Sequence, residues 1–342
     1  MFRYCLKRLI SLFVTLFVIA TAIFFLLRFI PGSPFAQERP LPPQIEAQLM
    51  EKYNLKGSIL EQYGNYLTNF AKGEFGESMQ KIGVGVDDIV KQSFPISAKV
   101  GGMAVILIVI LGIPMGVAAG MNKNKWPDYT VSFVSTLGIT IPSFVIGTFI
   151  MYVFGEKLGI IPAGGLPNWK GYIGPVIALG GFSIAFVARL MRSSFLDVIG
   201  QDYIRTARAN GLSKSSIIFK HALKNALIPV ITYIGPTIAS ILTGSFVTEK
   251  IFAINGMGKY FVESITNRDY MVVMGTTLFF ATFYVTMVFL TDIAYALIDP
   301  RIKLSEYKGS MRRKLCKTKN NLTSGTLQTR KHLKSARTQD QT

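Results

Sequence analysis

Histidine, cysteine and acid are scarce in this chain, and each shortage sets aside a class of function. Of 342 residues only two are histidine (His221, His332) and two are cysteine (Cys5, Cys316). There is accordingly no H-E-x-x-H, no C-x-x-C and no dense cysteine framework, so nothing points to zinc hydrolysis, dithiol redox chemistry or a disulfide scaffold. No G-x-S-x-G elbow is present either, and no nucleophile finds a histidine beside it except near His221, which lies in a basic segment and reads as a surface residue. The nearest approach to a phosphate loop is Asn255 to Lys259 (NGMGK), but Ala253 occupies the first glycine position and Tyr260 replaces the hydroxyl that would hold Mg²⁺. An intramembrane enzyme would therefore lack a recognisable catalytic set.

Charged residues are equally sparse, at 16%, against 50% hydrophobic residues and a mean hydropathy of +0.38. The apolar residues are concentrated in runs: Leu9–Ile30, Val100–Gly120, Val131–Phe154, Tyr172–Leu190, Leu227–Val247 and Tyr270–Ile298. Each is about long enough to cross a bilayer as a helix. The expected fold class is all-α, a polytopic membrane protein of six transmembrane helices. Charged residues in or beside these runs are few: Arg28, Lys99 just before the second run, Arg189 next to the end of the fourth, and Asp292; the first three lie near ends where long side chains reach the interface. Asp292 falls toward the far edge of the last run and reads as a partner for basic loop residues. A proton-coupled transporter usually needs a buried acid, and none is evident, so energy must come from outside the chain or transport is passive.

The net charge of +18 is not spread evenly. With the N-terminus placed in the cytoplasm, the inside segments hold 24 basic and 6 acidic residues, and the outside segments 11 and 12. This asymmetry is the positive-inside bias of a membrane protein, and it puts both termini in the cytoplasm. Basic Phe2–Arg8 followed by Ala20-Thr21-Ala22 formally imitates a cleaved secretory signal, yet the apolar run continues through Leu27, which favours an uncleaved helix. Both cysteines then face the cytoplasm, where no disulfide is expected.

Four regions follow: residues 1–30, the first transmembrane helix; 31–97, an extracytoplasmic loop region; 98–300, a five-helix core; and 301–342, a basic cytoplasmic tail too poor in apolar residues to fold. In the outer region, apolar positions at helical spacing from Ile45 to Tyr53 and from Ile59 to Phe70 predict two amphipathic helices, which spacing alone cannot distinguish from a cover on the membrane rim. Gly112, Gly116 and Gly120 recur every fourth residue in the second span, leaving one helix face nearly bare for close approach of a neighbour. That face suits either tight packing or a sliding contact. Pro114, Pro142, Pro175, Pro229 and Pro236 predict bent or broken helices.

The polar loop at about 193–226 is the most informative stretch. A short helix from Tyr203 to Ala209, a stop at Asn210-Gly211 and a second helix capped by Ser213 are expected. The first helix carries small residues (Thr206, Ala207, Ala209) between Arg205 and Arg208, a pattern suited to a groove of another protein and equally to an ordinary basic cytoplasmic loop. The residues RTARANG (205–211), followed by KHALKNALIP (220–229), resemble the EAA loop of ABC importer permeases, in the form carried by the oligopeptide, dipeptide and nickel group. Arg205, Thr206 and Ala207 stand where the general pattern has Glu-Ala-Ala, Gly211 keeps its place, and Pro229 comes later than the usual proline. PGSPF (31–35), KYNL (52–55), KGEFGES (72–78) and DPR (299–301) are similar to that group as well, so the resemblance covers about residues 1 to 303.

The resemblance implies a type I ABC importer permease fold in a bacterial cell membrane. It implies half of a translocation pathway for peptides, or for nickel or another solute of the same group. Arg205, Thr206, Ala207, Arg208, Ala209, Asn210 and Gly211 would then couple to an ATPase. The implied partners are a second homologous permease, two ABC ATPase subunits, an extracytoplasmic substrate-binding protein and membrane lipid, with no nucleic acid. No cofactor, catalytic residue or metal is expected in this chain, ATP and Mg²⁺ residing on the ATPases. A secondary transporter or channel also accounts for six spans, but leaves the helical basic loop without a purpose.

Overall fold

A computed structural model describes residues 2–30, 35, 42–53 and 55–298. The basic tail, Cys316, the DPR segment and most of the PGSPF segment lie outside the described residues. The described chain is almost wholly helical. Residues up to Phe289 form one compact unit, and the described part of a second unit is the end of the last helix.

Helix α1 (Phe2–Phe29) is apolar on nearly every side, but among its described side chains only Leu16, Ala20, Phe24 and Leu27 are buried. Their four- and three-residue spacing puts them on one stripe, and Phe13, Phe17, Leu26 and Phe29 are left for lipid. The two amphipathic helices follow as the sequence predicts. Helix α2 (Pro43–Lys52) opens on a proline, whose fixed φ suits the first turn. Helix α3 (Ile59–Lys72) begins in a Ser58/Glu61 capping box and ends at Gly73 in the left-handed conformation, φ +79°. Both cover the end of α1 through Tyr53, Tyr63 and Tyr66.

Helix α4 (Val86–Met121) is longer than the apolar run within it. It contains a π-turn at Ile108–Gly112, just before Pro114, where a missing N–H loosens the ladder. The third run is broken at Pro142, as the sequence predicts. It is two helices, α5 (Trp126–Thr140) and α6 (Ser143–Lys157), bent by 99° at Ile141-Pro142, because the residue before proline is driven to the extended conformation seen at Ile141 (ψ 123°). Helix α7 (Ile173–Ile199) takes Pro175 in its first turn without a break. After α8 (Asp202–Ala209), helix α9 (Lys214–Leu242) runs through both Pro229 and Pro236, so these two prolines do not break it as expected. Short helices α10 (Phe246–Ile251) and α11 (Met257–Thr266) precede α12 (Tyr270–Ile298). Five of these helices are long and apolar enough to cross a membrane, and the bent pair supplies a sixth crossing if it is one span.

Helix α7 is the centre. It packs against α4, α5, α6 and α9, and its Ala178, Val187, Met191 and Phe195 form the main core with Ile108, Ala226 and Val230. Three polar ties pin the periphery. Arg192 of α7 pairs with buried Asp128 of α5, its Nη2 donating to Oδ2 at 2.8 Å. Buried Asp269 accepts from the Ser78 hydroxyl and, at 3.0 Å, from the Met79 amide. Buried Glu249 accepts from Ser97 Oγ of α4 at 2.7 Å.

Candidate functional site

The loop between α7 and α9 is built by three local signals. Asp202 sits in the first turn of α8, where negative charge complements the helix dipole. At the other end, the Gly211 amide donates to the Arg208 carbonyl (3.0 Å) and the Leu212 amide to the Ala207 carbonyl (3.2 Å). With Gly211 at φ +74°, this is a Schellman termination. Ser213 then caps α9 by accepting from the Ser216 amide at 3.3 Å. The helix, stop and second helix stand where the sequence placed them.

The orientation of α8 corrects one expectation. Ile204 and Ala207, three positions apart, are both buried and join the main core with Ile217, Ile218 and Ala222. Ala207 therefore lies on the inward face and is not available to another protein. Arg205, Thr206, Arg208, Ala209, Asn210 and Gly211 are exposed and form the outward face. The tertiary contact decides this: Ile204, the only large aliphatic side chain of α8, turns inward and carries Ala207 with it. Asn225 Nδ2 of α9 donates to the Tyr203 hydroxyl at 2.8 Å, a second attachment. The Arg205–Asp202 contact, 3.4 Å and exposed, adds little.

The glycine face of α4 meets α7 directly. A Cβ on Gly112 would stand 2.8 Å from Val187 Cγ1, one on Gly116 2.5 Å from the Ala188 carbonyl oxygen, and one on Gly120 2.8 Å from Phe195 Cδ1. Two further close approaches escape a spacing argument because neither glycine belongs to a four-residue repeat. A Cβ on Gly101 would lie 2.6 Å from the Ile241 carbonyl oxygen of α9, and one on Gly138 2.8 Å from Ala185 Cβ of α7.

The glycines of the NGMGK stretch wrap a carboxylate. Oε2 of Glu249 accepts from the Lys259 amide at 3.2 Å, and the Met257 amide at the start of α11 donates to Ser97 Oγ at 2.9 Å. Side chains on Gly256 or Gly258 would collide with Glu249 and Phe246. Burial pushes the Glu249 carboxyl above its usual range, against the hydrogen bonds from Ser97, Lys259 and Gly258. The turn that imitates a phosphate loop thus holds a side chain of its own. Among the described residues no cluster of three or more His, Cys, Asp or Glu could hold a metal ion.

Comparisons with known proteins agree with this architecture. The family described as binding-protein-dependent transport system inner membrane component matches residues 112–304. The dipeptide transport system permease protein DppB of Bacillus subtilis is 46% identical over 304 residues, covering 89% of this chain and 99% of that protein. The oligopeptide transport system permease protein OppB of Escherichia coli (strain K12) is 42% identical over 309 residues, covering 89% and 100%. Among solved structures, an inward-facing form of the MetNI methionine ABC transporter shares the fold, with a TM-score of 0.51 and 17% identity over 62% of this chain and 96% of that one. The buried glycine seam, the anchored polar helix α8 and these relatives lead to one assignment: the chain belongs to the binding-protein-dependent transport system inner membrane components, the multi-pass permease subunits of ABC importers.

Proposed function

We propose that this permease forms half of a peptide pathway, completed by a second homologous permease, and that the outward face of α8 is the contact for one of two ABC ATPase subunits. The observation that carries the coupling role is the two-sidedness of α8. Arg205, Thr206, Arg208, Ala209, Asn210 and Gly211 are exposed, while Ile204 and Ala207 are rooted among side chains of the main core. A push on the outward face is therefore delivered to α7 and α9, as a rigid-body switch between inward-open and outward-open states requires. The named activities of the dipeptide and oligopeptide relatives support peptides as the cargo. ATP and Mg²⁺ act on the ATPase subunits.

The charge asymmetry supports cytoplasmic termini and a cytoplasmic α8. On that topology α2, α3, α10 and α11 face outward, where an extracytoplasmic binding protein delivers substrate. The experiment is co-purification of the solubilised chain with and without Ala209→Trp, coupled to uptake of a labelled dipeptide, a longer peptide and a nickel chelate into vesicles. Loss of the ATPases and of ATP-dependent peptide uptake, with the second permease retained, is the expected result. A chain that purifies alone and moves solute without ATP overturns the reading.

A further inference from the structure

A cavity of ≈ 300 Å³ lies between the end of α1, the face of α3 and the start of α12, away from α8 and from the glycine seam. Its walls include Phe24, Phe70 and Leu278, and two of its polar side chains carry buried atoms that lack partners. Arg28 donates through Nη2 to Gln62 Oε1 at 2.7 Å, but its Nη1 meets no acceptor among the described residues. The Tyr66 hydroxyl, also buried, is in the same state. The two side chains share a wall: Arg28 Cζ is 4.6 Å from the centre of the Phe24 ring, and that ring stacks on Tyr66 at 5.4 Å. Orphaned buried donors are costly, and two of them on one cavity wall describe the imprint of a ligand oxygen. Burial raises the Tyr66 phenol well above its usual value, so it remains a donor.

The acids at this cavity do not cancel the guanidinium. Glu77 is held by Lys52 at 2.7 Å, and Glu74 is exposed at the rim. On the same turns of α1, near the end of that apolar helix, Leu26 and Phe29 are exposed and apolar, an outer surface suited to lipid. We propose that this cavity binds an amphiphile with a phosphate head, Arg28 and Tyr66 donating to the phosphate oxygens and Phe24, Phe70 and Leu278 receiving the hydrocarbon part. A cationic substituent on the head meets Glu74, which makes a phosphoethanolamine lipid the fitting chemistry.

The test uses the full chain with its co-purifying subunits in lipid-free detergent. Dihexanoylphosphatidylethanolamine and, separately, inorganic phosphate are titrated, and retained ligand is read by native mass spectrometry. The lipid should bind and inorganic phosphate should not. Arg28→Gln should weaken the lipid at least about tenfold, the loss expected of one hydrogen bond to a charged group, and Arg28→Lys should recover part of it. Asn65→Trp, at an exposed position on the mouth, should block binding while leaving the Arg28–Gln62 bond and the melting temperature intact. Equal retention by wild type, Arg28→Gln and Asn65→Trp overturns the site. So does inorganic phosphate binding as tightly as the lipid, since the apolar wall would then contribute nothing.

Discussion

Arg192 closes one edge of its guanidinium on Asp128: Nε and Nη2 reach Oδ1 and Oδ2 of one carboxylate, fastening the first turn of α5 to the last turns of α7. The Asn124 amide adds a third bond, at 2.9 Å. Asp128 is almost fully buried and Arg192 is not, so removing the two partners is not equivalent. Arg192→Ala strands a buried carboxylate and should cost roughly 3 kcal/mol, read as a lowered melting temperature of the solubilised protein. The double change Asp128→Asn/Arg192→Ala should recover part of that loss. A double variant as unstable as the sum of the single ones would show that the pair is not coupled.

Neighbouring glycines on α4 should behave oppositely. Gly101→Ala drives a methyl toward the Ile241 carbonyl, whereas a Cβ on Gly102 meets nothing within 4 Å. Gly102→Ala should stabilise by up to about 1 kcal/mol through helix propensity. Gly101→Ala, like Gly116→Ala, should cost roughly 1–3 kcal/mol through overpacking. Thermal melts of the three variants check this, and equal effects at Gly101 and Gly102 would remove the argument for a close α4–α9 contact.

Glu249 gives a pH dependence with a definite sign. Burial raises its folded-state value, so the folded protein holds this proton more tightly than the unfolded chain does. Its contribution is fully present below the ordinary glutamate value of about 4.3 and is lost as pH rises through the raised one. The melting temperature of the wild type minus that of Glu249→Gln should therefore fall across this window. A difference that rises with pH would contradict the assignment. Glu249→Ala, which orphans the amides of Gly258 and Lys259, should cost about 1–3 kcal/mol at any pH.

The two faces of α8 separate coupling from folding. Ala209→Trp and Thr206→Trp alter exposed positions and should leave the melting temperature within about 0.5 kcal/mol of wild type while abolishing ATPase association. Ala207→Asp buries a charge in the main core and should lower stability and yield together. If Ala207→Asp folds normally and Ala209→Trp does not, the orientation of α8 is reversed.

How much of this was legible in the sequence depended on whether the signal was local. The Schellman stop at Gly211, the Ser213 cap and the Ser58/Glu61 box are decided within a few residues, so their places could be read directly. The glycine repeat of α4 announced a close neighbour but not which one, since Val187, Ala188, Met191 and Phe195 come from a helix far along the chain. The inward turn of Ala207 was hidden for the same reason: Thr206, Ala207 and Ala209 look alike until Ile204 finds its place in the core. Pro142 bends its span by 99° while Pro229 and Pro236 leave α9 unbroken, so the presence of a proline alone did not tell which span would break. Glu249 and Ser97, separated by 152 positions, had no sequence signature linking them.

Helix α9 starts three residues after the Gly211 stop and continues for 29 residues to Leu242, a length of about 43 Å at the usual rise per residue. It thus runs from beside the α8 anchor to the turn before α10, whose Glu249 is bonded to Ser97 of α4. Stiff helical segments transmit axial displacement with little loss, whereas Pro229 and Pro236 each take one rung out of the backbone ladder. The rod is therefore most compliant in bending between its ends. Were α8 to be pushed, as the proposed coupling requires, displacement at Lys214 would reach Gly244 as a shift along the axis plus a tilt hinged at those two prolines.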